Sequence, residues 1–520
     1  MGYLRGVATD LLTDPGVLVA AALLVGGVLC AGFAARLRVP GLILFLALGM
    51  LIGGLGWIEL DEPQIAQHVA IVALLVILFA GGLTTKPTDL RRAALPGLLL
   101  ATLGVVITAA VTAAAVWAVF GTTPLTAALI GAVVSSTDAA AVFAVLRKAP
   151  LPRRIMSLLE VESGTNDPVA IVLTIGVLQA WVAQPTTLEW AAFLGAQLAG
   201  GLAVGLVGGW LGSAALRFLD LSGESLFPIL ALGLAGLTYG AAAEIGASGF
   251  LAVYVAGVIV GMRVPRHRRG IRLFHEGLAN LAEITLFLVL GLLVFPAQLP
   301  PVVLPALAIT GILIVFARPL AVVLCLLGQR FSWREQALVA WAGLRGAVPI
   351  VLATFALTAG YPEGAAVFNI VFFVVLVSTA VQGATVGPVA RLLGLVEGAR
   401  VWAPVAEALP LEGVDADLIE VDITDDLFVS GKRLRDVPLP AGMLLTALVR
   451  GHRAIVPRGD TRLRPGDQAL VAASRQAAET DATEAIVAWA RGETTRTPEH
   501  VRTGVPPDRF RKRRERHGRR

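Results

Sequence analysis

The sequence predicts an all-α polytopic membrane protein with a small α/β domain on its cytosolic side, on three observations. Apolar runs of spanning length follow one another from about Val17 to about Leu393. The loops between them alternate between arginine-rich and devoid of Lys and Arg. After Arg400 the composition turns abruptly to that of a soluble domain. Residues 1–400 are therefore expected to form the transmembrane domain, 405–476 the small domain and 494–520 a basic disordered tail.

Of the 520 residues, 56% are hydrophobic and 15% charged, against about a quarter charged in an average soluble domain. Apolar runs of roughly 17–25 residues cross a hydrocarbon core as helices, which keep their backbone hydrogen bonds internal. Barrel strands would alternate every second residue, and these runs do not. The runs centre near residues 25, 48, 74, 107, 135, 168, 202, 235, 255, 287, 314, 347 and 380, about thirteen spanning helices by length. The first, Val17 to Ala35, reads as a span and not a signal peptide. Asp10 and Asp14 accompany Arg5 before it, and no small-residue cleavage site leads into a soluble domain. Cys30 and Cys325 lie inside apolar runs, without metal spacing or a disulfide framework; no cofactor is expected.

Basic residues fill one set of loops, at Arg36 and Arg38, Lys86 to Arg92, Arg147 to Arg154, Arg217, Arg263 to Arg272, Arg330 and Arg334, and Arg391 to Arg400. The other set, around Leu60, Thr122, Pro185, Gly246, Gln298 and Pro362, has none. Positive charge marks the cytoplasmic side. The N-terminus is thus expected outside and the C-terminus inside, as an odd number of spans requires.

Ionisable side chains are costly in hydrocarbon and mark functional sites. Asp138 lies in the fifth run after Ser135-Ser136-Thr137; the sixth carries Glu160, Glu162, Ser163, Asn166 and Asp167 before Pro168. Later come Glu244, Glu283, Arg318 and Arg345. Asp167 lies thirteen residues beyond Arg154, roughly 20 Å into the membrane at 1.5 Å per residue. Ser163 and Asp167 share one helix face, Glu162 and Asn166 the next. The first face offers a carboxylate and a hydroxyl to a hard cation; the second offers a carboxylate to a buried arginine, for which Arg345 is the expected partner. Two roles fit Asp138, cation ligand or cap of a helix kink. Arg318 is expected to pair within the bundle, and Glu283 stays open as an accessory site residue.

Two runs look interrupted at mid-depth, one at Ser135-Ser136-Thr137 and one at Gly343-Leu344-Arg345-Gly346-Ala347-Val348-Pro349. Interrupted helices at corresponding positions of two halves mark the site of an inverted-repeat transporter. Helices one to six and eight to thirteen would form those halves.

Thr137-Asp138, Glu162-Ser163-Gly164-Thr165-Asn166-Asp167-Pro168 and Gly343-Leu344-Arg345-Gly346 together resemble the monovalent cation/proton antiporter family, in its electroneutral sodium/proton and potassium/proton branch. The resemblance implies thirteen helices in a dimerisation domain and a mobile core, with two broken helices crossing beside the ion site. It implies Asp167 as the main carboxylate for ion and proton, with Asp138, Ser163, Thr137 and Asn166 around it and Glu162 salt-bridged to Arg345. Asn166-Asp167 in place of two adjacent aspartates resembles the one-for-one exchangers. Ala80 precedes Gly81-Gly82 where some relatives have an acid, which puts a third-helix ligand in doubt. The expected function is exchange of K+ or Na+ for H+ across a bacterial inner membrane, by a homodimer embedded in the lipid bilayer.

In the C-terminal region, Leu418–Ile423, Met443–Val449, Arg453–Pro457 and Gln468–Ala472 alternate as strands do, the last two joined by the turn Arg464-Pro465-Gly466-Asp467. Arg450 to Val471 carries a likeness to the RCK-C (TrkA-C) module, a regulatory domain of potassium transport proteins, which implies a small regulatory ligand; a purely structural cap is the plainer role. The Arg/Lys run from Arg509 to Arg516 reads as a solvated tail or a lipid-headgroup contact, and nothing suggests nucleic-acid binding. The alternative function is an RCK-regulated cation channel, which would need a repeated filter loop that is not found. No Walker A motif, HExxH motif or nucleophile pair supports a pump or an enzyme.

Overall fold

The computed structural model describes residues 15–37, 40–54, 63–85, 87–138, 142, 151–219, 221–264, 267–396, 405–410, 416–425, 427–451, 453–474 and 482–492. The tail expected at 494–520 lies outside them. The chain divides into two compact units, Met1–Glu397 and Gly398–Arg520.

The first unit is helical, in the order α1 (Pro15–Leu37), α2 (Gly41–Gly54), α3 (Pro63–Thr84), α4 (Pro87–Leu99), α5 (Val105–Phe120), α6 (Pro124–Val133), α7 (Arg153–Ala183) and α8 (Thr187–Phe218). Then follow α9 (Leu226–Glu244), α10 (Gly249–Arg263), α11 (Arg268–Leu292), α12 (Pro300–Ile312), α13 (Arg318–Cys325), α14 (Trp333–Trp341), α15 (Ala347–Thr358) and α16 (Gly364–Leu392). A π turn at Leu100–Gly104 joins α4 to α5, and another at Leu313–Ala317 joins α12 to α13. Counting each joined pair once, eight described helices are long and apolar enough to cross a membrane, and five shorter apolar ones accompany them.

Helix starts follow local chemistry. Thr123 accepts a hydrogen bond from the Thr126 amide and is followed by Pro124 at the first turn of α6. Thr186 with Glu189, and Ser332 with Glu335, form capping boxes at α8 and α14. Each satisfies first-turn N–H groups that have no intrahelical partner.

The helices sort into two bundles. In one, α8 packs on α10, α3 on α10 and α11, and α2 on α11, with α1 and α9 alongside. In the other, α4 packs on α7, α5 and α7 on α6, and α16 on α12 and α15. The first bundle closes on glycine: a Cβ at Gly257 would stand 2.6 Å from the Phe79 carbonyl oxygen, and one at Gly261 2.6 Å from that of Leu83. Gly291 of α11 meets α2 in the same way, 2.6 Å from the Leu46 oxygen. The π turns sit at matching places in the two joined helices, each with a proline upstream, Pro96 and Pro305. They lie near one another, with α13 packed on the first π turn and α5 on the second.

The second unit is a five-stranded antiparallel sheet, β1 (Val405–Pro410), β2 (Ala416–Asp422), β3 (Met443–Arg450), β4 (Arg453–Ile455) and β5 (Asp467–Ser474), in spatial order β1-β2-β5-β3-β4. Helix α17 (Ala482–Arg491) buries Ile486, Trp489 and Ala490 against Ile419, Val421, Leu448 and Val471. Four strands fall on the alternating segments of the sequence; β1 and α17 add to them. The turn before β5 is tied by Asp467, whose carboxylate accepts from the Arg464 amide at 2.7 Å and from Arg450 at 2.7 and 2.8 Å. Burial pushes the Asp467 carboxyl up, but the bonds from Arg450 and the Arg464 amide outweigh it and hold the group below its ordinary value.

Gly257→Leu is expected to lower the thermal stability of the detergent-purified protein by the ~1–3 kcal/mol typical of overpacking, whereas Gly233→Ala, at a site with no neighbour within 4 Å, leaves it unchanged. Asp467→Ala should cost the C-terminal unit about 1.5–3 kcal/mol in denaturant unfolding followed by Trp489 fluorescence. The stability Asp467 provides is present above the unfolded carboxyl's pKa of ~3.9 and is lost as pH falls from there through the lower folded value.

Candidate functional site

Two helices stop inside the apolar region, and their ends meet. Helix α6 ends at Val133; Val134 and Ser135 turn, and residues 136–138 run without helix. Helix α14 ends at Trp341, and α15 begins only at Ala347. The Asp138 amide donates to the Leu344 carbonyl at 2.8 Å. Arg345, fully buried, donates from Nη1 to the Ser136 carbonyl at 2.8 Å and the Ser135 carbonyl at 3.4 Å. Helix α16 serves the other break: Thr379 Oγ1 donates to the Arg345 carbonyl at 2.7 Å, and Gln382 Nε2 to the Trp341 carbonyl at 2.9 Å. Ser378 fixes that amide through a 2.6 Å bond to Gln382 Oε1. Backbone groups freed by the breaks are thus satisfied by side chains, as hydrocarbon requires.

The glycines of Gly343-Leu344-Arg345-Gly346 make room for charge. A Cβ at Gly346 would run into the Asp138 carboxylate, and one at Gly343 would lie 2.7 Å from Arg318 Nε.

Helix α7 passes beside the crossing. Asn166, fully buried, donates from Nδ2 to Thr137 Oγ1 at 2.6 Å and to the Thr137 carbonyl at 3.2 Å. Thr137 Oγ1 in turn donates to Glu162 Oε1 at 3.5 Å. The Ser136 hydroxyl bonds the Asp167 carboxylate. A cavity of about 90 Å³ opens here, lined by Ser136, Thr137, Asp138, Asp167, Glu283, Gly346, Ala347 and Val348, with Leu74, Ile77 and Phe287 as apolar wall. Of the residues singled out in the sequence, Thr137, Asp138, Asp167 and Glu283 therefore face one space. Ser163, one turn before Asp167, and Asn166 are not among its lining residues; Asn166 holds Thr137 in place.

One expected pairing is corrected. Glu162 is bound not by Arg345 but by Arg318, in a two-pronged ion pair of 2.5 Å (Nη1–Oε1) and 2.8 Å (Nη2–Oε2). Both side chains are almost wholly enclosed, 3% and 2% exposed. Arg345 is held at the crossing by the carbonyls it caps, whereas Arg318 emerges directly from the π turn at Leu313–Ala317 toward α7. Sequence reasoning also missed the Ser136 hydroxyl and the Leu344 carbonyl, since neither a hydroxyl's direction nor a free carbonyl leaves a sequence signal. Proline upstream of each π turn was the one hint that those helices deform.

A hard cation seeks oxygen ligands, and the carboxylates and hydroxyls around this cavity supply them. Removing one partner of a buried pair costs about 3–5 kcal/mol. Glu162→Gln or Arg318→Gln should therefore strongly lower thermal stability in detergent. Glu162→Met with Arg318→Met should regain much of it, a non-additivity that a double-mutant cycle measures directly.

Residues 19–392 match the sodium/hydrogen exchanger transmembrane family, and residues 418–482 the TrkA-C domain. The K(+)/H(+) antiporter NhaP of Alkalimonas amylolytica is 40% identical over 467 residues, 88% of this chain and 80% of that protein. The K(+)/H(+) antiporter NhaP2 of Shewanella sp. (strain ANA-3) is 38% identical, over 86% and 79% respectively. Among solved structures, the sodium proton antiporter MjNhaP1 from Methanocaldococcus jannaschii at pH 8 is similar with a TM-score of 0.65 and 25% identity, over 73% of this chain and 98% of that one. With its crossing of broken helices and its match from 19 to 392, this multi-span membrane protein belongs to the sodium/hydrogen exchanger family, its membrane region followed by a TrkA-C domain.

Proposed function

We propose that the protein is a secondary active antiporter exchanging K+ or Na+ for H+, in which cation and proton compete for Asp138 and Asp167. The observation that carries the reading is the placement of these two carboxylates on one small cavity beside the crossing of two broken helices. A site that size accepts a largely dehydrated cation or protons, and occupancy by one disfavours the other. Asp167 is the principal acceptor, Asp138 and Thr137 further ligands; Asn166 and Ser163 support them from α7, and Glu162 with Arg318 brace the helix. K+ is the favoured cation, because the two bacterial relatives at 38–40% identity carry that name. The cavity lies where α3 and α11 meet α15, so a rocking of one bundle against the other would expose it alternately. A cytoplasmic C-terminus and TrkA-C domain, with the N-terminus outside, is the orientation that the arginine-rich loops favour. The protein works in a bacterial cell membrane as a homodimer, gated through a small ligand of its TrkA-C domain.

The test is proton flux in proteoliposomes, read with a pH-sensitive dye as K+ or Na+ is added. Wild type should dequench the dye with one cation, K+ foremost, and Asp167→Ala should abolish the signal. Folded wild type that moves protons with neither cation refutes antiport. Conductive flux that persists in Asp167→Ala would instead indicate a channel.

A further inference from the structure

The cavity has two unlike walls. The non-helical stretch after α6 contributes Ser136, Thr137 and Asp138, α7 contributes Asp167, and the start of α15 contributes Ala347 and Val348; α3 and α11 contribute Leu74, Ile77, Phe287 and one carboxylate, Glu283. Glu283 lies fifteen residues beyond Arg268, the first of α11, so roughly 22 Å along the helix and deep within the membrane. A carboxylate there costs several kcal/mol unless it has a task. Its direction follows from helical phase: Phe287, one turn on and so on the same face, lines the same cavity and packs on Phe45 of α2 at 6.5 Å between ring centroids. Glu283 is also near enough to Asp138 for their charges to interact. On α11 itself the charged neighbours Arg272 and Glu276 bind each other at 2.6 Å, about two to three turns from Glu283 toward the helix start.

Building on the antiport reading, we propose that Glu283 is a third carboxylate ligand of the transported cation, supplied by the opposite bundle. Asp138 and Asp167 belong to the bundle of the crossing helices, whereas Glu283 is held by α11 among α1, α2, α3 and α9. A cavity of about 90 Å³ has room for an ion and one or two waters at ~30 Å³ each, so a cation bound by the aspartates also meets Glu283, directly or through one water. When the bundles move apart the ion keeps its aspartates and loses Glu283. The ligand set thus changes from three carboxylates to two between one side of the cycle and the other, and cation affinity changes with it.

The experiment is initial-rate exchange in proteoliposomes across a concentration series of K+ and of Na+ at one fixed alkaline pH, for wild type, Glu283→Gln and Glu283→Asp. Glu283→Gln keeps the side-chain shape and removes the charge. It should raise the KM for the transported cation roughly tenfold or more, by a larger factor than the maximal rate falls, and Glu283→Asp should recover much of that affinity. An unchanged KM in Glu283→Gln, with wild type exchanging normally, overturns the proposal and leaves antiport standing. Equal loss of rate in both variants with KM unmoved also overturns it, assigning Glu283 to packing alone. Wild type that exchanges neither cation refutes both readings.

Discussion

Hydrocarbon offers no hydrogen bonds, and α6 and α14 nevertheless stop within it. The structure around the site follows from how their open ends are satisfied. The Asp138 amide meets the Leu344 carbonyl, Arg345 covers the Ser135 and Ser136 carbonyls, and α16 supplies Thr379 and Gln382 to the remaining break. Unsatisfied, each such group would cost several kcal/mol. Because the partners are spread over three places, the crossing ties the end of α6, the break after α14 and α16 into one body. The cation of Arg345 also suits the C-terminal end of α6, where the helix dipole is negative.

The same arrangement sorts the acids. Glu162 is neutralised by Arg318 and serves the bundle; Thr137, held by Asn166, touches it and so links the brace to the site. Asp138 and Asp167 look instead into the cavity. Buried charge is thus divided between a closed ion pair and two carboxylates that line the cavity. The division depends on small residues: Gly343 admits the Arg318 guanidinium, and Gly346 admits the Asp138 carboxylate.

Much of this was legible from the chain alone. Spanning length and loop charge need no tertiary information, and acids placed in hydrocarbon announce themselves by their cost. Interruptions at Ser135-Ser136-Thr137 and Gly343–Gly346 were readable because hydroxyls and glycines cluster there without an apolar face. Choosing between Arg318 and Arg345 as partner of Glu162 was not readable. Both are arginines within the apolar region, and the choice turns on the packing that sets Arg318, directly after a π turn, against Glu162 of α7. Glu283 stayed undecided because an acid deep in a span can face either a cavity or a partner within the bundle, and that choice is made by the neighbouring helices. In the C-terminal unit the alternating strands showed themselves, while β1, with its run of Ala and Glu, carried no such alternation.

The glycine contacts between α3 and α10, and between α2 and α11, carry a mechanical consequence. There the backbones themselves touch, and a Cβ at Gly257, Gly261 or Gly291 would stand 2.6 Å from a carbonyl oxygen of the facing helix. Such a joint resists shear in a way that interleaved, flexible side chains do not. Between α7 and α10 the contact is different: the Tyr254 ring lies against Gly164, broad and flat, with no backbone locked to backbone. One bundle is thus joined backbone to backbone along its glycines, whereas its contact with α7 at Gly164 runs through an aromatic ring.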